Sequence, residues 1–190
     1  TGHCPFCPGQ RTSRTPRFPD AFHPAGRMER GRSVLFPNLF PYATHSAVSL
    51  FDDRHFVEIG TASVSSYTDS FLNCAAFLQR VRETDAAAIY TGIAQNHLPS
   101  AGGSLVHPHL QVQADAVASN HHRFLAGRAA FHQQATGRGL MAEYLDREIN
   151  NGERIIGNTG PWTWLAAFAP EGFFEIWALC PAKTSLLALE

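Results

Sequence analysis

The chain has 190 residues and a formal net charge of −1; 44% of it is hydrophobic and 11% aromatic, with 14 phenylalanines. That composition suits a globular fold with a sizeable core rather than a disordered chain. No long like-charge run offers a nucleic-acid groove or a polybasic membrane patch, and no apolar stretch approaches the ~20 residues of a membrane span. No secretory pattern opens the sequence, and Cys4, Cys7, Cys74 and Cys180 are too sparse for a secreted disulfide scaffold, so a reducing cytoplasm is the expected compartment.

Residues 1–32, rich in Pro, Gly and Arg, read as loop. Within them Cys4-Pro-Phe-Cys7-Pro-Gly is a tight C-x-x-C knuckle. Two thiolates at this spacing suit half of a tetrahedral zinc site. The rival is a redox pair, which favours a helix N-terminus, and no helical pattern follows Cys7. Ser33 to Phe36 and Ser46 to Phe51 read as strands. From Ser65 to Glu83, apolar Tyr67, Phe71, Cys74, Leu78 and Val81 recur at spacings of three and four, which predicts an amphipathic helix with Cys74 in its core stripe. Ala87 to Ala94 reads as the next strand.

The run Leu105 to Val112 alternates apolar and polar positions and predicts a strand. Side chains on a strand point alternately to its two faces, so His107, His109 and Gln111 share one side and Val106, Pro108, Leu110 and Val112 the other. The turn Gly102-Gly103-Ser104 precedes it, where bare backbone can approach a phosphate. Two imidazoles, an amide and such a turn on one surface suggest phosphate chemistry. The plainer alternative is a strand with two half-buried histidines satisfied by local hydrogen bonds.

Further on, 120–134 and 140–149 read as helices, with His121, His122 and His132 as surface or packing residues. Glu153 to Gly157, Thr163 to Phe168 and Phe173 to Leu179 read as strands, and Thr184 or Ser185 caps the start of a helix. The block 153–190 loosely repeats 33–70, as if a second copy began and stopped short.

Taken in order, several motifs resemble those of the galactose-1-phosphate uridylyltransferase family, the transferase branch of the histidine-triad superfamily. They are the Cys4–Gly9 knuckle, Phe36-Pro-Asn38, Phe51-Asp-Asp-Arg-His55, Asn96 with Gly102-Gly-Ser104, and His107-Pro-His109-Leu-Gln111. Tyr144-Leu-Asp-Arg-Glu148, Gly152-Glu-Arg-Ile-Ile156 and Glu175-Ile-Trp-Ala-Leu-Cys-Pro181 continue the match. The resemblance implies an α+β fold: an antiparallel sheet with flanking helices, complete over 1–150, and the beginning of a second such half over 151–190. It also implies a structural Zn²⁺ on Cys4, Cys7, His55 and His107. The nucleophile falls on His109, with Gln111 beside the transferred phosphoryl group, Asn38 at the nucleoside, and Asn96, Gly102, Gly103 and Ser104 at the phosphates. The implied reaction passes an NMP group, UMP in the first instance, between an NDP-hexose and a hexose 1-phosphate through a nucleotidyl-histidine, with ping-pong kinetics. Nucleotide sugar and sugar phosphate are then the partners, without nucleic acid or membrane, in a homodimer. An ADP-glucose or dinucleotide phosphorylase, a small histidine-triad-type hydrolase and a non-catalytic zinc-stabilised nucleotide-binding module are the alternatives. Two positions depart from the family: Leu39 stands where Asp usually follows the asparagine, and Leu110 where Gly usually precedes the glutamine. The second half's histidine-rich metal site and its partner-reaching loop have no counterpart before Glu190.

Overall fold

The computed structural model describes residues 3–180. Contacts divide them into units of residues 3–117 and 118–180. No helix among the described residues is long and apolar enough to cross a membrane.

The first unit is organised by side-chain alternation on one antiparallel sheet. Its strands are β1 (Met28–Arg30), β2 (Ser33–Pro37), β3 (His45–Leu50), β4 (Tyr90–Ala94) and β5 (His109–Asp115). They lie in the order β1-β2-β3-β5-β4. Leu35, Ala47, Leu110, Val112 and Ala114 point to one face and pack with Cys74, Phe77, Leu78 and Val81 of helix α2 (Val64–Thr84). Val34, Phe36, Val48 and Leu50 point to the other, where Cys4 and Phe6 cover them. This is the period-2 pattern of a sheet covered on both sides.

Helix α2 meets the sheet through more than its apolar stripe. Ser70 and Asn73 are buried with Ser33 and Ser49 of the strands. Ser49 Oγ lies 3.1 Å from Ser33 Oγ and 2.8 Å from Ser70 Oγ, and Asn73 Nδ2 donates to Ser33 Oγ at 3.0 Å. Phe71, expected in the stripe, is 37% exposed, and Phe77 takes the core position instead. Cys74 is a core residue as the pattern predicts, and burial pushes its thiol up to about 12.

Two expectations are corrected. Residues 1–32 are not all loop: Pro8–Arg14 form a short helix, α1, and β1 lies within the same stretch. Pro8 at the first helical position suits the helix start, and Cys7 caps it. The strand predicted from Leu105 begins only at His109. Pro108 has no N–H to give to a ladder, and the segment before it bends.

The second unit holds helices α3 (Asn120–Thr136) and α4 (Leu140–Asn151) and a separate antiparallel sheet β6-β7-β8 (Ile155–Thr159, Trp162–Ala166, Ile176–Leu179). Ser119 caps α3 by accepting from the His122 N–H. Two buried carboxylates hold the unit together. Glu143 meets His132 at 2.9 Å and Arg147, and Glu148 accepts from Arg154 Nε at 2.8 Å. His132 is thus a packing residue, as read. The helix start at 184–185 lies outside the described residues.

Candidate functional site

The tetrapeptide Cys4–Cys7 folds back on itself through a Cys7 N–H bond to the Cys4 carbonyl. Its two thiols meet two histidines from distant loops. The ligand atoms of Cys4, Cys7, His55 and His107 all lie within 4.8 Å of one another. Cys7 Sγ is 3.4 Å from His55 Nδ1 and 3.8 Å from His107 Nδ1. Ligand–ligand edges of a tetrahedral zinc site are about 3.5–3.8 Å, so the spacing fits such an ion.

The surrounding chemistry fits as well. His107 is fully buried, and its Nε2–H donates to the Asp52 carbonyl at 3.1 Å. That bond puts the ring proton on Nε2 and turns the Nδ1 lone pair to the thiols. Asp52 is in turn clamped by the Arg54 N–H at 2.8 Å, Nε at 2.9 Å and Nη2 at 2.6 Å. Burial alone would raise the Asp52 carboxyl, but the hydrogen bonds and charge of Arg54 outweigh it and hold the group below the usual carboxylate range. Burial raises the Cys7 thiol and the adjacent Cys4 adds to it, a crowding that a cation between the sulfurs would relieve. The closed set of two sulfurs and two nitrogens leaves no open position. Cys7 does sit at a helix start, the setting that a redox pair favours, but Cys4 and Cys7 are free thiols met by two imidazoles.

One step along the chain, His109 Nδ1–H donates to the His107 carbonyl at 2.8 Å. The proton is fixed on Nδ1, and the lone pair stays on Nε2. Burial pushes the His109 ring below the ordinary imidazole range, so it is neutral at pH 7. Despite the bend, His107 and His109 do present to one side: Phe6 stands edge-on to both, its centroid 6.0 Å from one ring and 5.2 Å from the other.

His109 lines a cleft of about 350 Å³ with Gln111, Ser104, Asn38, Phe6 and Arg14. Gln111 follows His109 on the same face of β5, opposite Val48 and Ala94 of the neighbouring strands. Asn38 is also busy within its own loop: Nδ2 donates to Ser46 Oγ at 3.3 Å, and Oδ1 accepts from the Phe40 N–H at 3.1 Å. Asn96, Gly102 and Gly103 form a turn packed on itself. Gly102 has φ +82°, and a Cβ on Gly103 would lie 2.9 Å from the Leu98 carbonyl and 3.0 Å from that of Asn96. These three residues shape the turn, and Ser104 is the member that reaches the cleft wall.

Phe6, Asp52, Arg54 and Arg14 also stand at the candidate site, and the residue pattern alone does not single them out. Phe6 was hinted at by its place between the two cysteines. Asp52 acts through its backbone, which no residue-type pattern reveals.

No family model matches the chain. A protein of Archaeoglobus fulgidus, described only as uncharacterized, is 33% identical over 173 residues, 90% of this chain and 51% of that one. Among solved structures, a GalT-like protein of Arabidopsis thaliana matches with a TM-score of 0.77 at 19% identity, over 98% of this chain and 64% of its own. An ADP-glucose phosphorylase of Arabidopsis thaliana with bound ADP-glucose matches at 0.77 and 18%, over 98% and 63%. A uridylyltransferase mutant matches at 0.73 and 20%, over 98% and 63%. The chain therefore spans about half of the curated relative and under two thirds of these structures. It shares the fold of the GalT-like protein, the uridylyltransferase and the ADP-glucose phosphorylase.

Proposed function

We propose that the chain is the nucleotidyl-carrying part of a nucleotidyltransferase acting on nucleotide sugars, with His109 as nucleophile. The observation that carries this is the 2.8 Å bond from His109 Nδ1–H to the His107 carbonyl, which leaves a neutral ring with its Nε2 lone pair in a cleft beside Gln111.

In the first half-reaction Nε2 attacks the α-phosphorus of an NDP-hexose. The N–P bond forms, the bond from that phosphorus to the bridging oxygen breaks, and hexose 1-phosphate departs with the electron pair. The departing group is a stable anion and needs no general acid. The ring acquires positive charge, and the His107 carbonyl on Nδ1–H stabilises it. In the second half-reaction a second hexose 1-phosphate attacks the phosphorus, the N–P bond breaks, and Nε2 regains its lone pair. Gln111 and Ser104 supply donors for the phosphoryl oxygens, and the remaining work is positioning and charge neutralisation.

A zinc ion on Cys4, Cys7, His55 and His107 would supply a rigid cross-link. Through it the segment that aims His109 would be tied to the knuckle and to the Asp52–Arg54 loop.

The ADP-glucose phosphorylase match, as high in TM-score as the GalT-like one, supports a second reading in which inorganic phosphate is the acceptor and AMP the carried group. One experiment separates the readings. The protein is mixed with UDP-glucose or ADP-glucose labelled at the α-phosphorus and precipitated. Acid-labile label on the protein from UDP-glucose, absent in His109→Gly, is the expected result. Label from ADP-glucose alone selects the phosphorylase, and turnover of a nucleoside phosphoramidate with neither sugar phosphate nor phosphate present selects the hydrolase. Nucleotide binding without label or turnover overturns the catalytic reading and leaves a binding module.

A further inference from the structure

The segment 38–44, between β2 and β3, is tied down at both ends and yet holds its largest side chains out in water. At its start the Asn38 N–H donates to the Ser46 carbonyl at 2.9 Å. The Asn38 amide is spent on the same segment, Nδ2 on Ser46 Oγ and Oδ1 on the Phe40 N–H. At its end the carboxylate of Asp115, the last residue of β5, accepts from the Thr44 N–H at 3.1 Å and from Thr44 Oγ1 at 3.3 Å. Pro37 and Pro41 fix two further backbone angles. Between these ties Leu39, Phe40 and Tyr42 are 62%, 74% and 80% exposed. All three line the cleft of His109 and Gln111.

Apolar side chains exposed singly are ordinary. Three within four residues, on a stiffened segment that walls one cleft, form a surface. A slack loop would turn such side chains inward, and the ties at Asn38 and Thr44 oppose that. The ordering cost of the segment is met before any ligand arrives, which favours binding. The cleft itself, at about 350 Å³, has the size of a small-molecule site. We infer that the segment is the nucleobase wall of this cleft, with Phe40 and Tyr42 taking the flat face of the base and Leu39 packing beside them. The inference rests on the nucleotide-sugar reading above and adds to it how the base is held. Of that ligand's parts, the phosphates suit the nucleophile and donors of His109, Gln111 and Ser104. The hexose carries hydroxyls that call for hydrogen-bonding partners, which two rings and a leucine do not supply. The base offers a π-face, and aromatic rings stack on any base. Because the Asn38 amide is engaged within its own loop, this wall reads the face of the base and not its edge, and it admits pyrimidine and purine alike.

The test is equilibrium binding to the full chain by calorimetry, which needs no turnover. UMP and AMP are the probes that carry a base, and ribose 5-phosphate and glucose 1-phosphate are the probes without one. Both mononucleotides should bind the wild type more tightly than ribose 5-phosphate. Phe40→Ala and Tyr42→Ala, at exposed positions outside the core, should each weaken UMP and AMP about 5- to 150-fold and leave the two base-free probes unchanged. Phe40→Trp, which keeps an aromatic face, should retain the wild-type affinity. Unchanged nucleotide affinity in both alanine variants overturns the proposal, as does an equal loss for the base-free probes or binding of only one of the two mononucleotides. The outcome is separable from that of the transfer reaction. Labelling through His109 with nucleotide affinity indifferent to both substitutions sinks the wall alone, and selective loss of UMP and AMP in a protein that never labels upholds the wall and sinks the transfer.

Discussion

The Asp52 carbonyl accepts the His107 Nε2 proton at 3.1 Å, so a loop residue outside the ligand set decides which nitrogen of a buried ring faces the thiols. Partners of this kind tune a metal site almost as strongly as the ligands do. Arg54 holds Asp52 in turn, through three donors. Arg54→Gln should therefore weaken zinc binding about 10- to 100-fold although Arg54 touches no ligand. Competition with a chromophoric chelator measures this, and unchanged affinity would show that the Asp52 carbonyl keeps its place unaided.

Removal of a ligand is a harsher change. His107→Ala should abolish stoichiometric zinc and expose a buried cleft wall, and Cys7→Ser should do the same with less loss of packing. In both variants nucleotidyl labelling should fall with the metal content. A zinc-free variant that labels at the wild-type rate would mean that the cross-link does not position His109.

Within the cleft, Gln111→Ala should lower the rate of nucleotidyl transfer about 10²- to 10³-fold, the usual loss for one donor to a developing charge. The substrate KM should move much less. Single-turnover labelling reads the two apart, and a change confined to KM would make Gln111 a ground-state contact.

The polar seam under α2 predicts a stability effect. Asn73→Ala removes the Nδ2 donor that Ser33 Oγ and the Ser33 carbonyl share in a buried site. The expected loss is about 1–3 kcal/mol by urea unfolding. A near-neutral substitution would mean that water enters the seam.

Glu143 gives the second unit an acid limb. The Arg147 hydrogen bond, then that of His132, hold its carboxyl below the usual carboxylate range. A carboxyl depressed in the folded state stabilises the fold at pH above its unfolded value, near 4.5, and that contribution is lost as pH falls through the lower folded value. The stability difference between wild type and Glu143→Gln should thus be full at pH 6–7 and shrink below about pH 4.5. Urea unfolding of the two proteins across that range checks it, and a difference independent of pH would rule the account out.

Much of this was legible in residue spacing, for reasons that particular positions make plain. Alternation through Leu110, Val112 and Ala114 placed His109 and Gln111 on the opposite face even though the strand starts four residues late, because the face depends on parity and not on where pairing begins. The C-x-x-C pair announced half a metal site, but nothing in its spacing pointed to His55. That histidine arrives through the fold, and only the family resemblance named it. Helix α1 was missed because seven residues made of Pro, Gly and five polar positions carry no apolar period. The serines and Asn73 under α2 were missed because polar residues that satisfy one another across a packing seam look like surface in one dimension.

Phe6 stands between the two thiols of the candidate metal site in the chain and against two imidazoles in space. The candidate metal site and the His109 cleft consequently share a wall. A redesign that swapped the knuckle for a disulfide or a salt bridge would have to rebuild that wall as well, and any slackening of the knuckle should be felt first as a change in the shape of the cleft.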